Sequence, residues 1–179
     1  MRNRRLLARA SAGALAGFVA GLVAGAGARV AMRMVADGVA DGVGVSPEFT
    51  LAGSVAIALF GAIIGAGGGL LYEAIADRLP GPARGHGVIF GVLLLLAIGP
   101  VFFLNNEEFF SLGRVALFAT LFFVFGIALS FVSSPSRRLA PSLPLVPQVI
   151  LVLVGLAGAS FVAVGIVSLA LQSGSSGSM

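Results

Sequence analysis

Residues 10–28 read ASAGALAGFVAGLVAGAGA, and residues 51–72 read LAGSVAIALFGAIIGAGGGLLY. Neither stretch contains a charged side chain. An α-helix needs roughly 20 predominantly apolar residues to cross the hydrocarbon core of a bilayer, and both stretches have about that length. They therefore predict two transmembrane helices, and in each helix glycine recurs every four residues.

Three further uncharged apolar runs follow along the chain, so we expect an all-α polytopic membrane protein with five transmembrane helices. We expect one membrane domain over residues 1–172. Ser46, Pro47 and Glu48 are typical of a helix start, and they place the start of the second helix near Pro47. The five predicted spans cover about residues 10–34, 47–76, 87–104, 113–132 and 148–171.

The overall composition leads to the same class of protein. The chain has 179 residues, of which 58% are apolar and 10% charged, with a mean hydropathy of +1.08 and no cysteine. Soluble domains contain about 25% charged residues. This composition excludes a disordered chain, a collagen, a disulfide scaffold and an ordinary water-soluble enzyme.

The arginines predict the orientation of the chain in the membrane. With the N-terminus in the cytoplasm, the inner side carries eight arginines and two carboxylates, and the outer side carries three arginines and five carboxylates. This orientation follows the positive-inside rule, so we expect the N-terminus inside and the C-terminus outside. Because the arginines lie at the ends of apolar runs and not in one cluster, we expect no nucleic-acid partner.

The glycine series predict close helix packing. Between helices embedded in lipid, small residues allow the backbones to approach and so replace the hydrophobic driving force. The partner of these faces is either the neighbouring span or another copy of the chain. The predicted packing residues are Gly13, Gly17, Gly21, Gly25, Gly61, Gly65 and Gly69.

A possible duplication would divide the chain into tandem helical hairpins, formed by spans one and two and by spans three and four, with the fifth span appended. The sequence around Glu48 and Phe49 has a counterpart 60 residues later at Glu108 and Phe109. Parallel repeats of this kind occur in some transporters, and also in proteins that transport nothing. A chance match in a Gly-rich and Ala-rich sequence is the alternative.

Arg29 and Arg33 are candidate contacts for an anion or a lipid headgroup. They lie one turn apart at the outer end of the first span, and arginine presents a forked set of donors to phosphate oxygens. The alternative is that they extend to the membrane interface or pair with carboxylates of the outer loops. Those carboxylates are Asp37, Glu48, Glu107 and Glu108.

Glu73 and Asp77 are candidate ion or proton contacts at the inner end of the second span. The alternative is that they pair with local bases, namely Arg78 or Arg84. No lysine is present for a P-loop, and the single histidine, His86, excludes a His-Glu-x-x-His zinc motif. The sequence therefore predicts no catalytic residue, no cofactor and no metal site.

Three segments near the ends of the predicted spans allow other interpretations. Residues 1–28 resemble a signal peptide with a twin arginine and a cleavage site, although the glycine spacing favours a retained span. Pro141, Pro144 and Pro147 are spaced for a short polyproline II segment, either a peptide ligand or a stiff linker. Residues 173–179 have the composition of a flexible tail or a cloning remnant.

The run Ala28-Arg29-Val30-Ala31-Met32-Arg33, followed by residues 47–53 with the sequence PEFTLAG, is similar to a set of small uncharacterised integral membrane proteins of GC-rich bacteria. The resemblance covers about the first 75 residues. It implies a bacterial plasma (inner) membrane, with the lipid bilayer as the surroundings, and it assigns no functional residue.

We therefore expect a non-catalytic membrane protein that assembles through its glycine-rich helix faces, as a homo-oligomer or with a membrane-protein partner. The alternative is a small transporter or lipid-handling protein that uses a cavity between the two hairpins. Proton relays and ion pathways normally contain buried acids, bases or histidines. The scarcity of such groups within the predicted spans favours the first function.

Overall fold

The computed structural model of the chain describes residues 2–39, 50–104 and 112–175. All regular secondary structure in this part of the chain is helical, which confirms the predicted all-α class. Short 3₁₀ turns cover Ala76–Arg78, Ala83–Gly85 and Ala140–Ser142. The five α-helices are α1 (Arg2–Val39), α2 (Leu51–Ile75), α3 (His86–Leu104), α4 (Leu112–Leu139) and α5 (Leu145–Ser175).

Four of the helices are long and apolar enough to cross a membrane, and they define a multi-pass membrane protein. In α3 the apolar stretch that the structure describes is shorter and covers His86–Pro100. The four long candidate spans are Asn3–Met34, Leu51–Arg78, Val115–Ser142 and Leu145–Ser168.

The start of α2 differs from the prediction. The helix begins at Leu51, after Thr50, and not near Pro47. Thr50 has extended backbone angles, and its hydroxyl accepts a hydrogen bond from the Gly53 N–H at 3.2 Å, which is the usual role of an N-cap threonine. The predicted cap residues around Pro47 lie outside the described residues.

The proline-rich segment is helical on both sides of a short turn, so the polyproline II prediction is wrong. Helix α4 continues through Pro135 to Leu139, and α5 already begins at Leu145. Pro147 lies in the first turn of α5, where a backbone N–H has no partner within the helix and proline is tolerated. The predicted flexible tail is helical as far as Ser175, and residues 176–179 lie outside the described residues.

Helix α1 is the centre of the bundle. It contacts α2, α4 and α5, while α3 packs mainly against α4 and α5 packs mainly against α2. The two predicted hairpin pairs, α1 with α2 and α3 with α4, are therefore both in contact. The common origin of these pairs stays a prediction.

The distribution of side-chain size across the bundle is the reverse of that in a water-soluble protein. Most of the buried apolar side chains are alanines, such as Ala16, Ala20 and Ala66, which are fully buried. Large apolar side chains face outward, and Leu51 and Phe131 are among the most exposed. Soluble monomers rarely expose such continuous apolar surface, whereas lipid-embedded helices pack through small residues.

Candidate functional site

The seven glycines predicted to pack helices lie along the contact between α1 and α2. The two helices run antiparallel, and their glycines face each other over almost the whole contact. A closely packed seam therefore joins the two helices within one chain. The neighbours across this seam are Gly69 and Glu73 for Gly13, Gly65 and Gly69 for Gly17, Gly61 and Gly65 for Gly21, and Ile57 and Ala58 for Gly25.

The seam has no space for side chains. A Cβ atom built on Gly17 would lie 2.7 Å from the Gly69 Cα, and one built on Gly65 would lie 2.6 Å from the Gly21 Cα. Carbon atoms in favourable contact are about 3.5–4.0 Å apart, so any substitution here must separate the backbones. Each glycine face is therefore occupied by the neighbouring helix of the same chain, and not by another copy of the chain.

Glu73 is the central residue of a cluster at one end of the bundle, and its side chain is only 4% exposed. Its Oε2 accepts a hydrogen bond from Arg9 Nε at 3.2 Å, and its Oε1 accepts one from Arg137 Nε at 2.8 Å. Arg9, Glu73 and Arg137 form what we call the charged triad. It connects α1, α2 and α4 at the end of the bundle that we call the arginine-rich end.

Asp77 lies at the edge of this triad. Arg9 Nη2 donates to Asp77 Oδ2 at 2.6 Å and to the Glu73 backbone oxygen at 3.1 Å. Asp77 is 71% exposed, so water screens this outer ion pair much more than it screens the bonds of Glu73. One guanidinium group therefore contacts both predicted acidic residues.

The hydrogen-bonded partners of the two acids are distant arginines, and not the local base Arg78. Arg78 donates to the Ala74 backbone oxygen at 3.4 Å, and the partners of Glu73 are Arg9 and Arg137, each 64 residues away along the chain. The side chain of Arg84 lies outside the described residues. In the sequence, Arg9 and Arg137 served only to predict the orientation in the membrane. The signal that could have identified them as partners is that they lie on the same predicted side of the membrane as Glu73.

The glycine seam and the charged triad depend on each other. A Cβ atom built on Gly13 would lie 2.6 Å from the Gly69 backbone oxygen and 3.0 Å from the Glu73 Cβ. Glycine at position 13 therefore leaves the space that the Glu73 side chain occupies between α1 and α4. Burying a carboxylate is costly unless it is paired and hydrogen-bonded, and here each carboxylate oxygen has its own arginine.

Arg29 and Arg33 lie far along α1 from the triad, toward the other end of the bundle. Arg29 Nε donates to the Ser54 hydroxyl at 3.4 Å, which links α1 to the start of α2. Arg33 is exposed. The structure does not bring this pair together with Glu73 and Asp77. The side chains of Asp37, Glu48, Glu107 and Glu108, their predicted partners, lie outside the described residues.

A cleft of about 610 Å³ opens at the arginine-rich end. The first turns of α1, the end of α4 and the turn into α5 form its walls. Gln148 of α5 is 8% exposed, and its Nε2 donates to the backbone oxygens of Ala140 at 3.0 Å and Leu143 at 2.8 Å, which holds the turn in place. Four arginines line the cleft, namely Arg4, Arg5, Arg9 and Arg137.

Most other polar side chains with a described contact bond to nearby backbone. Thr120 donates to the Ala116 oxygen at 2.8 Å and Ser130 to the Gly126 oxygen at 3.1 Å, as hydroxyls in apolar helices commonly do. His86 contacts the Gly81 oxygen through Nε2 at 2.9 Å. Within residues 2–39, 50–104 and 112–175, no group of three or more histidine or acidic side chains is placed to hold a metal ion.

Comparisons with protein-family models, with curated proteins and with solved structures find no match to this chain. Its class is therefore defined by its own architecture. That architecture is a helical, multi-pass membrane bundle with a glycine seam between α1 and α2, and with a buried carboxylate held by two arginines at one end.

Proposed function

We propose that this chain is a non-catalytic membrane protein that works by packing, as a homo-oligomer or as a component of a membrane-protein complex. In this proposal α3 is a fifth span, and the arginine-rich end faces the cytoplasm of a bacterium. The protein lies in the plasma membrane with its N-terminus inside and its C-terminus outside. The positive-inside rule supports this orientation, because most of the arginines belong to the arginine-rich end.

The observation that carries the proposal is the way in which the helices associate. Close glycine contacts join α1 to α2, and the same kind of contact joins α3 to α4, where a Cβ atom on Gly87 would lie 2.5 Å from the Gly126 oxygen. Three ion pairs, of Arg9 with Glu73 and Asp77 and of Arg137 with Glu73, lie at the arginine-rich end. Glu73 is engaged by two arginines, which favours a structural role for it over proton transfer.

We infer that the assembly surface lies on α5, because α1 and α2 already occupy each other's glycine faces. A Cβ atom on Gly165 would meet no atom within 4 Å. Ala157 and Ser160 on the same helix are exposed. The exposed side chains of Phe161 and Val164 lie beside Gly165, so a second copy or a partner would pack on a mixed surface of small and large apolar residues.

The test is the mass of the complex by native mass spectrometry after extraction in mild detergent. We expect a multimer or a co-purifying membrane protein with the unchanged chain. Gly165→Leu should lower the mass to that of the single chain, since leucine covers the assembly surface without a clash inside the chain. Gly17→Leu should abolish the complex together with the fold, because it separates α1 from α2.

Val23→Leu is the matched control, because it enlarges an exposed side chain on α1 and should leave the complex intact. A single unchanged chain that carries no partner protein in mild detergent would contradict the assembly proposal. A complex that survives Gly165→Leu would contradict the placement of the surface on α5.

A lipid-handling protein is the second candidate function, and the cleft at the arginine-rich end favours it. This cleft lies between α1 of the first helix pair and α4 of the second, and the turn into α5 completes it. A route for a solute along the α1–α2 seam is not favoured, because backbone atoms fill that contact.

A further inference from the structure

We propose that the cleft at the arginine-rich end binds the phosphate group of an anionic phospholipid headgroup. This inference rests on the second candidate function, lipid handling, and is independent of assembly through α5. The chemistry that the cleft recognises is a phosphate ester. Free inorganic phosphate shares this chemistry, so the test below compares the two sources.

The charge balance of the cleft favours an anion. Among the described residues, four arginines line it and no carboxylate does. Two of these arginines are paired: Arg9 with Glu73 and Asp77, and Arg137 with Glu73. Arg4 and Arg5 have no ion pair with any carboxylate that the structure describes, so the cleft retains positive charge that the protein itself does not balance.

The charged triad orients two of these donors before a ligand arrives. Arg137 contacts Glu73 through Nε, so the four N–H groups on its Nη atoms are not engaged by that carboxylate. Arg9 contacts the two acids through Nε and Nη2, which leaves its Nη1. Guanidinium groups bind phosphate oxygens through parallel N–H pairs, and fixing them in advance lowers the entropy cost of binding.

Apolar side chains complete the cleft and favour an amphiphile over a bare ion. Leu7, Ala8, Leu143 and Leu145 line it beside the arginines. Its volume of about 610 Å³ is within the range of about 300–1,000 Å³ for ligand pockets and is much larger than one phosphate group. A headgroup phosphate can therefore contact the arginines while the glycerol and upper acyl chain contact the apolar wall.

The position of the cleft matches the depth at which headgroups lie. It opens where the apolar parts of α1, α4 and α5 end and the arginines begin. Basic pockets between transmembrane helices on the cytoplasmic side are a recurring type of site for anionic headgroups. In the proposed orientation, this is the side of the membrane on which the cleft lies.

The test uses the full chain in mild detergent and counts bound ligand by native mass spectrometry. Three separate titrations use phosphatidylglycerol, phosphatidylcholine and inorganic phosphate. The test variant is Arg4→Gln with Arg5→Gln, because neither arginine belongs to the charged triad and the fold should remain. The control is Arg138→Gln, which removes one exposed arginine near the same end that does not line the cleft.

We expect phosphatidylglycerol to bind more tightly than phosphatidylcholine, and the double variant to bind it roughly 25-fold more weakly, from about fivefold for each surface arginine. Arg138→Gln should bind like the unchanged chain. Inorganic phosphate is the alternative ligand. If it binds saturably, and the double variant weakens its binding by the same factor as that of phosphatidylglycerol, the result would support the phosphate site and identify the free ion as its ligand. If the double variant bound each of the three ligands as tightly as the unchanged chain does, the proposal would be overturned.

The same spectra also report the mass of the protein assembly. A multimer without bound lipid would contradict only the cleft proposal, whereas a single chain with bound lipid would contradict only the assembly proposal. The two failures are therefore distinguishable in one experiment.

Discussion

Replacing Glu73 by glutamine should destabilise the bundle more than any other isosteric change of a described acidic side chain. Glu73 accepts one hydrogen bond at each carboxylate oxygen, from Arg9 and from Arg137. A glutamine side chain has only one acceptor oxygen, so its NH₂ group must face the donor of one arginine. Both arginines also lose the negative charge between them.

The magnitude follows from the burial of the three side chains. Breaking a fully buried ion pair costs about 3–5 kcal/mol, and one hydrogen bond to a charged group contributes about 1.5–3 kcal/mol. Glu73 is 4% exposed, but each arginine is 45% exposed, so water recovers part of the loss. We expect Glu73→Gln to lower the free energy of unfolding by about 2–3 kcal/mol.

The assay is unfolding by SDS in mixed micelles, followed by energy transfer between dyes on two introduced cysteines. Because the chain has no cysteine of its own, the dyes attach only at Leu71→Cys and Phe131→Cys, both of which are exposed positions. Asp77→Asn is the matched control and should shift the midpoint much less, because Asp77 is 71% exposed. Equal midpoints for Glu73→Gln and the unchanged chain would refute the structural role of the triad.

Two further predictions concern the turn before α5 and the orientation of the chain. Gln148→Ala should leave the Leu143 backbone oxygen without the donor that Gln148 supplies, and the Ala140 oxygen with only the Leu143 N–H, which costs about 1–3 kcal/mol. Amide exchange at Leu143 should accelerate, and unchanged exchange there would mean that the glutamine does not hold the turn. For the orientation, Leu145→Cys should react with a membrane-impermeant maleimide in inverted vesicles and not in spheroplasts, while Leu153→Cys, exposed on the same helix, should stay unreactive in both. Labelling of Leu145→Cys in spheroplasts alone would reverse the proposed topology.

The sequence alone predicted the helical class, the approximate positions of the apolar helices and the glycine positions. These features depend on residues that are close together in the chain. A run of about 20 apolar residues has few stable forms other than a helix where water is absent. Glycine at every fourth position lies along one side of that helix whatever packs against it.

Local sequence patterns gave wrong predictions where the same few residues are compatible with two backbone conformations. The serine and proline at positions 46 and 47 predicted the start of α2, and Thr50 caps it instead. The proline spacing from Pro141 to Pro147 predicted an extended segment, yet the chain forms a 3₁₀ turn and then α5. Each of these prolines is tolerated near a helix start, so spacing alone does not distinguish the two conformations.

Only the tertiary structure decided which residues meet across the bundle. The glycine faces could have met a second chain, and the antiparallel packing of α1 on α2 lets them meet each other. Glu73 pairs with arginines 64 residues away in both directions, although five arginines lie closer along the chain. Long-range pairing depends on helix order and rotation, and these are set by the packing of all five helices together and not by any one segment.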